Sequence, residues 1–285
     1  MKTSLLLILF ASPFLSAGEF SPGNISADAQ WHLHADVEKL RETTTGKTII
    51  KALKKEHGQT LSDAEIFLGF DLIRDVADVS LFGNGKHDNA AIIIQGKINR
   101  RHLESMIVDA DQYQSNLYQG EKIHSWRDKG KGQNAAFHGD TLVVVSEKPE
   151  LIMLTLDVLA KRKPHLESDK NIPGSSVIMG TANIEALDLP VDKGSKMLKK
   201  AKSLSASLTE VDNHLRANFV VSTKEEKTAA RLQKIAEGLV AFGMMAEPDL
   251  EELNIEHGSS VTGNQVSMHL TIPVEEALAI LGRIK

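Results

Sequence analysis

The sequence has no cysteine, only two tryptophans and two tyrosines among 285 residues, and no excess of positive charge; its formal net charge is -5. Without cysteine there is no disulfide framework and no thiol nucleophile, so stability must come from a hydrophobic core, which a chain of this length is able to bury. A mildly acidic balance is not that of a protein that coats nucleic acid, so no nucleic-acid partner is expected. Catalytic signatures are missing as well: there is no G-x-S-x-G nucleophile elbow. The stretch "TTTGKT" (43–48) ends like a phosphate-binding loop, but Arg41 stands where that loop needs glycine. No cofactor is expected. Beyond the first twenty residues no apolar stretch reaches the length of a membrane span.

Those first residues, MKTSLLLILFASPFLSAGEF, combine an early lysine, a short apolar run and the small residues Ser16, Ala17 and Gly18. This is the layout of a secretory signal peptide, with residues 1–17 removed by a cut after Ala17. No cysteine follows the run, which closes the lipoprotein route. The expected mature chain is a periplasmic or secreted protein without a membrane span. Loss of Lys2 moves its formal charge from -5 to -6.

What the sequence does contain is an internal repeat. "HADVEKL" (34–40) matches "TANIEAL" (181–187), an offset of 147, and "FHGDTLVVVSEKPE" (137–150) matches "VTGNQVSMHLTIPV" (261–274), an offset of 124. Between these pairs, "NRRHLESMI" (99–107) aligns with "KTAARLQKI" (227–235). The difference in offset puts extra residues in the first half, among them "LSDAEIFLGFDLIRD", where Ser62 and Glu65 form a capping box for a short additional helix.

Each half reads as a strand, a helix, a hairpin, a helix, a second hairpin and a closing helix. In the first half strands are expected at 29–35, 78–82, 90–96, 122–127, 134–138 and 141–146. Helices are expected at 101–109, 150–161, 224–242 and 274–283. Gly139-Asp140 and Gly263-Asn264 are tight hairpin turns. Strands running in hairpins favour α+β over a parallel sheet. The expected fold is therefore two similar α+β modules, 25–163 and 174–285, each a mostly antiparallel sheet with helices packed on one face. The Pro- and charge-rich stretch 161–176 reads as a surface linker.

Three segments, "FLGFDLIRDVADVSLFG" (67–83), "YQGEKIHSWRDKGKGQNAAFHGDTLVVVSE" (118–147) and "LDVLAKRKPHL" (156–166), resemble segments of secreted bacterial proteins of unknown function with two tandem α+β modules. The resemblance implies architecture and location. It implies no activity.

Among the 11 histidines, His32 and His34 alternate with Asp36 in "WHLHAD", three side chains on one strand face and a pattern with which some zinc sites begin. The repeat argues for another reading. Asp36 is equivalent to Asn183, and both are favoured N-caps for the helix that follows, so no metal is assigned there. Histidines and tryptophan that the second half lacks mark where the first departs from the common pattern. His32, His34, His124 and Trp126 are accordingly the candidate binding residues, with no catalytic residue assigned. The expected role is that of an exported, non-enzymatic binding or interaction protein, whose partner is an unidentified small molecule or envelope protein. The alternative is a hydrolase whose His, Asp and Ser residues are assembled from distant positions.

Overall fold

The structure, a computed structural model, describes residues 18, 20–86, 88–187, 199–246 and 253–281. The expected signal peptide lies outside the described residues. In chain order the elements are β1 (Trp31–Asp36), α1 (Val37–Glu42), α2 (Thr44–Leu68), β2 (Val76–Gly83), β3 (Ala90–Gly96) and α3 (Arg100–Val108). Next come β4 (Gln114–Tyr118), β5 (Glu121–Asp128), β6 (Lys131–His138), β7 (Leu142–Ser146) and α4 (Pro149–Leu159). The remainder is β8 (Ile178–Asn183), β9 (Ala201–Val211), β10 (His214–Thr223), α5 (Glu226–Ala246), β11 (Glu256–Thr262), β12 (Gln265–Pro273) and α6 (Val274–Leu281).

All twelve strands join one antiparallel sheet in the order β11-β12-β10-β9-β8-β1-β2-β3-β7-β6-β5-β4. The two halves of the chain meet where β1 pairs with β8, in a register that sets Leu33 opposite Gly180 and His32 opposite Thr181. Two hairpins close through Gly139 and Gly263, each with positive φ, 63° and 57°, where a side chain is disfavoured.

Side chains alternate across a strand, so the register defines two faces. On the face of His32 lie Phe82, Ile93 and Val144, packed with Leu151, Ile152 and Leu156 of α4. On the face of Trp31 lie Val79, Ile94, Val143 and Phe137, packed with Leu103 and Ile107 of α3. The expectation of helices on one face is thus corrected, since the first half is covered on both. The runs "AAIII" and "LVVV" carry apolar side chains at successive positions, the pattern of strands covered on both faces, although Ile92 at one end of the covered region stays exposed.

Two further expectations change. Ser62 and Glu65 do not start a helix; they lie within α2, which runs on through a kink at His57 and is capped by Thr43, whose side chain accepts from Gly46 N–H at 2.9 Å. β4 answers a strand that was not foreseen; it pairs with β5 across the Gln119-Gly120 turn, where both residues have positive φ. The stretch 161–176 is tied down along its length. Leu166 N–H donates to Ile25 C=O, His165 bridges to Ser26, and Asp169 accepts a hydrogen bond from Ser205 at 2.5 Å.

Candidate functional site

The candidate histidines and tryptophan fall into two places on opposite faces, with four strands between them. His32 and His34 belong to the His32 face of β1 and are 5% and 1% exposed. Phe20 covers them, stacking on His32 with ring centroids 5.1 Å apart. His34 Nδ1 lies 2.9 Å from Ser80 Oγ and its Nε2 lies 3.2 Å from Gly18 C=O. A Ser-His pair is present, but the second ring nitrogen meets a carbonyl where a base would need an orienting carboxylate. His32 Nδ1 lies 2.9 Å from Thr181 Oγ1, and its Nε2 is buried with no partner among the described residues. Burial lowers the His32 pKa to about 4, the nearby Asp169 opposing the shift. Desolvation also lowers the pKa of His34.

Asp36 does serve α1, its carboxylate accepting from Lys39 N–H at 2.7 Å, but the expected cap at Asn183 is not made: its side chain donates to Gln30 Oε1 at 2.8 Å, and only a short 3-10 turn, Ile184–Ala186, follows. Among the described residues no group of three or more His, Asp, Glu or Cys side chains is arranged to hold a metal ion.

His124 and Trp126 lie on the Trp31 face at β5. His124 is 1% exposed, and its Nδ1 lies 3.1 Å from Tyr113 Oη, with Phe137 edge-on to the ring and Glu104 Oε1 at 3.7 Å from Nε2. Desolvation lowers its pKa in spite of that carboxylate. Trp126 packs into the cluster of Phe137 and Val143 beneath α3. These are packed positions and offer no opening.

The opening is elsewhere. At the centre of the sheet, the Trp31 face of β1, β8, β9 and β10 holds an open groove of about 380 Å³. Its floor is Ile178 and Gly180 of β8, Leu204, Ala206 and Leu208 of β9, and Ala217 and Phe219 of β10, with Trp31 and Leu33 as one wall. Phe219 is shared with a second groove of about 280 Å³, where Met268 and Leu270 face Leu239 and Val240 of α5. Leu33 is 44% exposed, and Leu239 and Phe242 are 64% and 69% exposed.

Strand β9 is the informative element. Ser205, Ser207 and Thr209 point to the His32 face and are buried, at 8%, 7% and 4% exposure, while Leu204, Ala206 and Leu208 point to the open face. A strand with one wet face ordinarily does the opposite. Here serine is buried and leucine borders solvent, the pattern of a surface reserved for something apolar. The alternation is legible in "KSLSASLTEV", but the sequence alone does not say which of its two faces is covered. Gly83 contributes from the neighbouring strand: a side chain there would meet the Trp31 indole at 2.8–2.9 Å, so glycine leaves the space the ring occupies.

Fold and site together define an α+β protein, with one large antiparallel sheet, six α-helices among the described residues and an apolar groove at the sheet centre. No helix among the described residues is long and apolar enough to cross a membrane. No protein-family model matches the sequence, and no curated protein matches it significantly. Solved structures do: crystal forms III and IV of TP0453, a Treponema protein of unknown function, align with TM-scores of 0.54 and 0.53. Each alignment covers 93% of this chain, and 98% and 97% of theirs, at 11% identity. At that identity the likeness is one of fold.

Proposed function

We propose that the protein is an exported, non-enzymatic binding protein that carries a small apolar molecule in the groove between its two halves. The observation that carries this reading is the inversion in β9, which buries serines and leaves Leu204, Ala206 and Leu208 toward an open groove. The volume falls in the range of small-molecule sites, and a lining with few polar side chains favours a ligand recognised by shape and burial rather than by charge. Periplasmic or secreted location follows from the signal-peptide layout of residues 1–17.

The two halves are read as copies of one unit. The succession β1-β2-β3-β7-β6 is matched by β8-β9-β10-β12-β11. The sequence offset of 147 makes Leu33 the equivalent of Gly180, and these two residues are direct partners in the β1–β8 ladder. A local two-fold axis between them is what an antiparallel pair of equivalent strands requires. On this reading β4 and β5 are an addition to the first copy, and the groove lies beside the axis, where the copies have diverged.

Native mass spectrometry of the protein purified from its own cell envelope tests the function. A bound small molecule that is released by organic solvent and rebinds the stripped protein supports it. A stripped mass from the outset, with no saturable uptake of apolar probes, overturns it.

A further inference from the structure

Gly18 is buried, and its surroundings are unusual for a neutral peptide unit. Asp36 and Asp78 are directly opposed across the β1–β2 ladder and are 3% and 5% exposed. Like charges so placed repel. Glu38 adds a third carboxylate, whose Oε2 is buried with no hydrogen-bond partner among the described residues. The cation in contact is Lys39, whose Nζ lies 3.2 Å from Asp36 Oδ2. Three acids therefore face one ammonium group.

Into this pocket the chain inserts Gly18. Its N–H donates to the Asp78 carboxylate, and its carbonyl meets His34 Nε2 at 3.2 Å. A Cβ on residue 18 would lie 2.7 Å from Asp36 Oδ1 and 3.2 Å from Glu38 Oε2, and φ is +116°. Glycine is required on both counts, because the two carboxylate oxygens occupy the space that a side chain on residue 18 would take. In the uncut chain burial pushes the Asp78 pKa up to about 7, with Asp36 and Glu38 adding to the rise. An additional positive charge would reverse that rise.

We propose that the pocket of Asp36, Glu38 and Asp78 is the seat of the α-ammonium group created by a cut between Ala17 and Gly18. Hydrolysis of that peptide bond leaves the carboxylate on the leader and the ammonium on Gly18, so the nitrogen goes from one N–H donor to three and gains a charge. Processing then consolidates the fold by supplying the missing cation. The proposal rests on the export reading for the cut alone, and the test below separates the two.

The test uses two full-length mature chains made without the leader. One is encoded as Met-Gly18, from which the initiator methionine is removed; the other begins at Ala17, which moves the ammonium group one residue out of the pocket. At pH 6.5 the chain beginning at Gly18 is expected to melt about 2–4 °C higher or more, the shift of a modest added interaction in a protein of this size. Its α-amine should acylate about tenfold more slowly near neutral pH, as for a pKa raised by one unit. A gained partner raises the amine pKa, so the advantage is held at low pH and lost as pH rises through that value. Among the described residues the charged groups facing the amine are Asp36, Glu38, Asp78 and Lys39, with desolvation holding the His34 pKa below its ordinary value. Asp78→Asn should abolish most of the difference between the two chains. Equal midpoints and equal acylation rates, or a difference that survives Asp78→Asn, would overturn the proposal. Intact mass of the exported protein tests the cut separately.

Discussion

Replacing Ala206 by phenylalanine distinguishes an open binding groove from a packed layer by the sign of its effect. Ala206 is half-buried at the middle of β9, flanked by Gly180 on β8 and Phe219 on β10. Gly180 has no side chain of its own, the exposed Leu33 side chain beside it is free to turn aside, and about 380 Å³ lies above. A benzyl group laid over Gly180 would remove roughly 100 Å² of apolar surface from water, worth at most about 2.5 kcal/mol at ~25 cal/mol per Å². With the ring still partly wet, about 1 kcal/mol is expected, a rise of about 2–4 °C in melting midpoint. Had the region been a close-packed core, the same change would cost about 1–3 kcal/mol and lower the midpoint. The ring also takes contact area from any ligand, and a loss of about 2.5 kcal/mol weakens binding on the order of 50-fold. Thermal unfolding followed by circular dichroism reads the first effect, and displacement of an apolar fluorescent probe reads the second. A fall in midpoint, or an unchanged probe affinity, would refute the reasoning.

Other outcomes follow from the remaining geometry. Phe82 is 1% exposed in the layer under α4, so Phe82→Ala should cost about 3–5 kcal/mol in urea denaturation. His32, with its pKa lowered to about 4, should show no titration of its ring protons between pH 8 and 5 by NMR. Because the unfolded chain takes up that proton near pH 6.5, stability should decline as pH falls from there toward 4, and His32→Gln should flatten that slope. Glu210 is desolvated but accepts from Thr44 and Thr45 N–H at 2.6 and 2.9 Å, and these bonds lower its pKa overall. Glu210→Gln should cost about 1 kcal/mol, comparable to losing a helix cap, and the loss should shrink as acid protonates the wild-type carboxylate.

Local chemistry was the legible part of the sequence. The hairpins at Gly139 and Gly263 and the cap at Asp36 could be placed because each depends on residues adjacent in sequence. Helices α3 to α6 were legible to within a few residues over the described residues, whereas most of α2 was not. The capping-box pattern at Ser62 and Glu65 falls inside α2, because the same residue spacing also fits the interior of a helix. The coverage of both sheet faces was signalled by "AAIII" and "LVVV", whose side chains alternate in direction while all being apolar. The site was less accessible. His32, His34, His124 and Trp126 stood out by residue type, yet their surroundings depend on strands far away in sequence, which put them on opposite faces and under cover. The groove is made of leucine, alanine, isoleucine and glycine, residues that carry no chemical label. The pocket around Gly18 needs Asp78 brought opposite Asp36 by strand pairing, and nothing local to either residue announces it.

The most direct measurement of the central claim uses Trp31, the indole at the groove wall. In a Trp126→Phe chain it is the sole tryptophan, and contact quenching by a brominated alkyl probe reports whether an apolar chain lies against it. Saturable quenching near one equivalent, lost in Ala206→Phe, is the predicted result. Emission that is indifferent to the probe, or quenched equally in the filled variant, would contradict a binding site on this face.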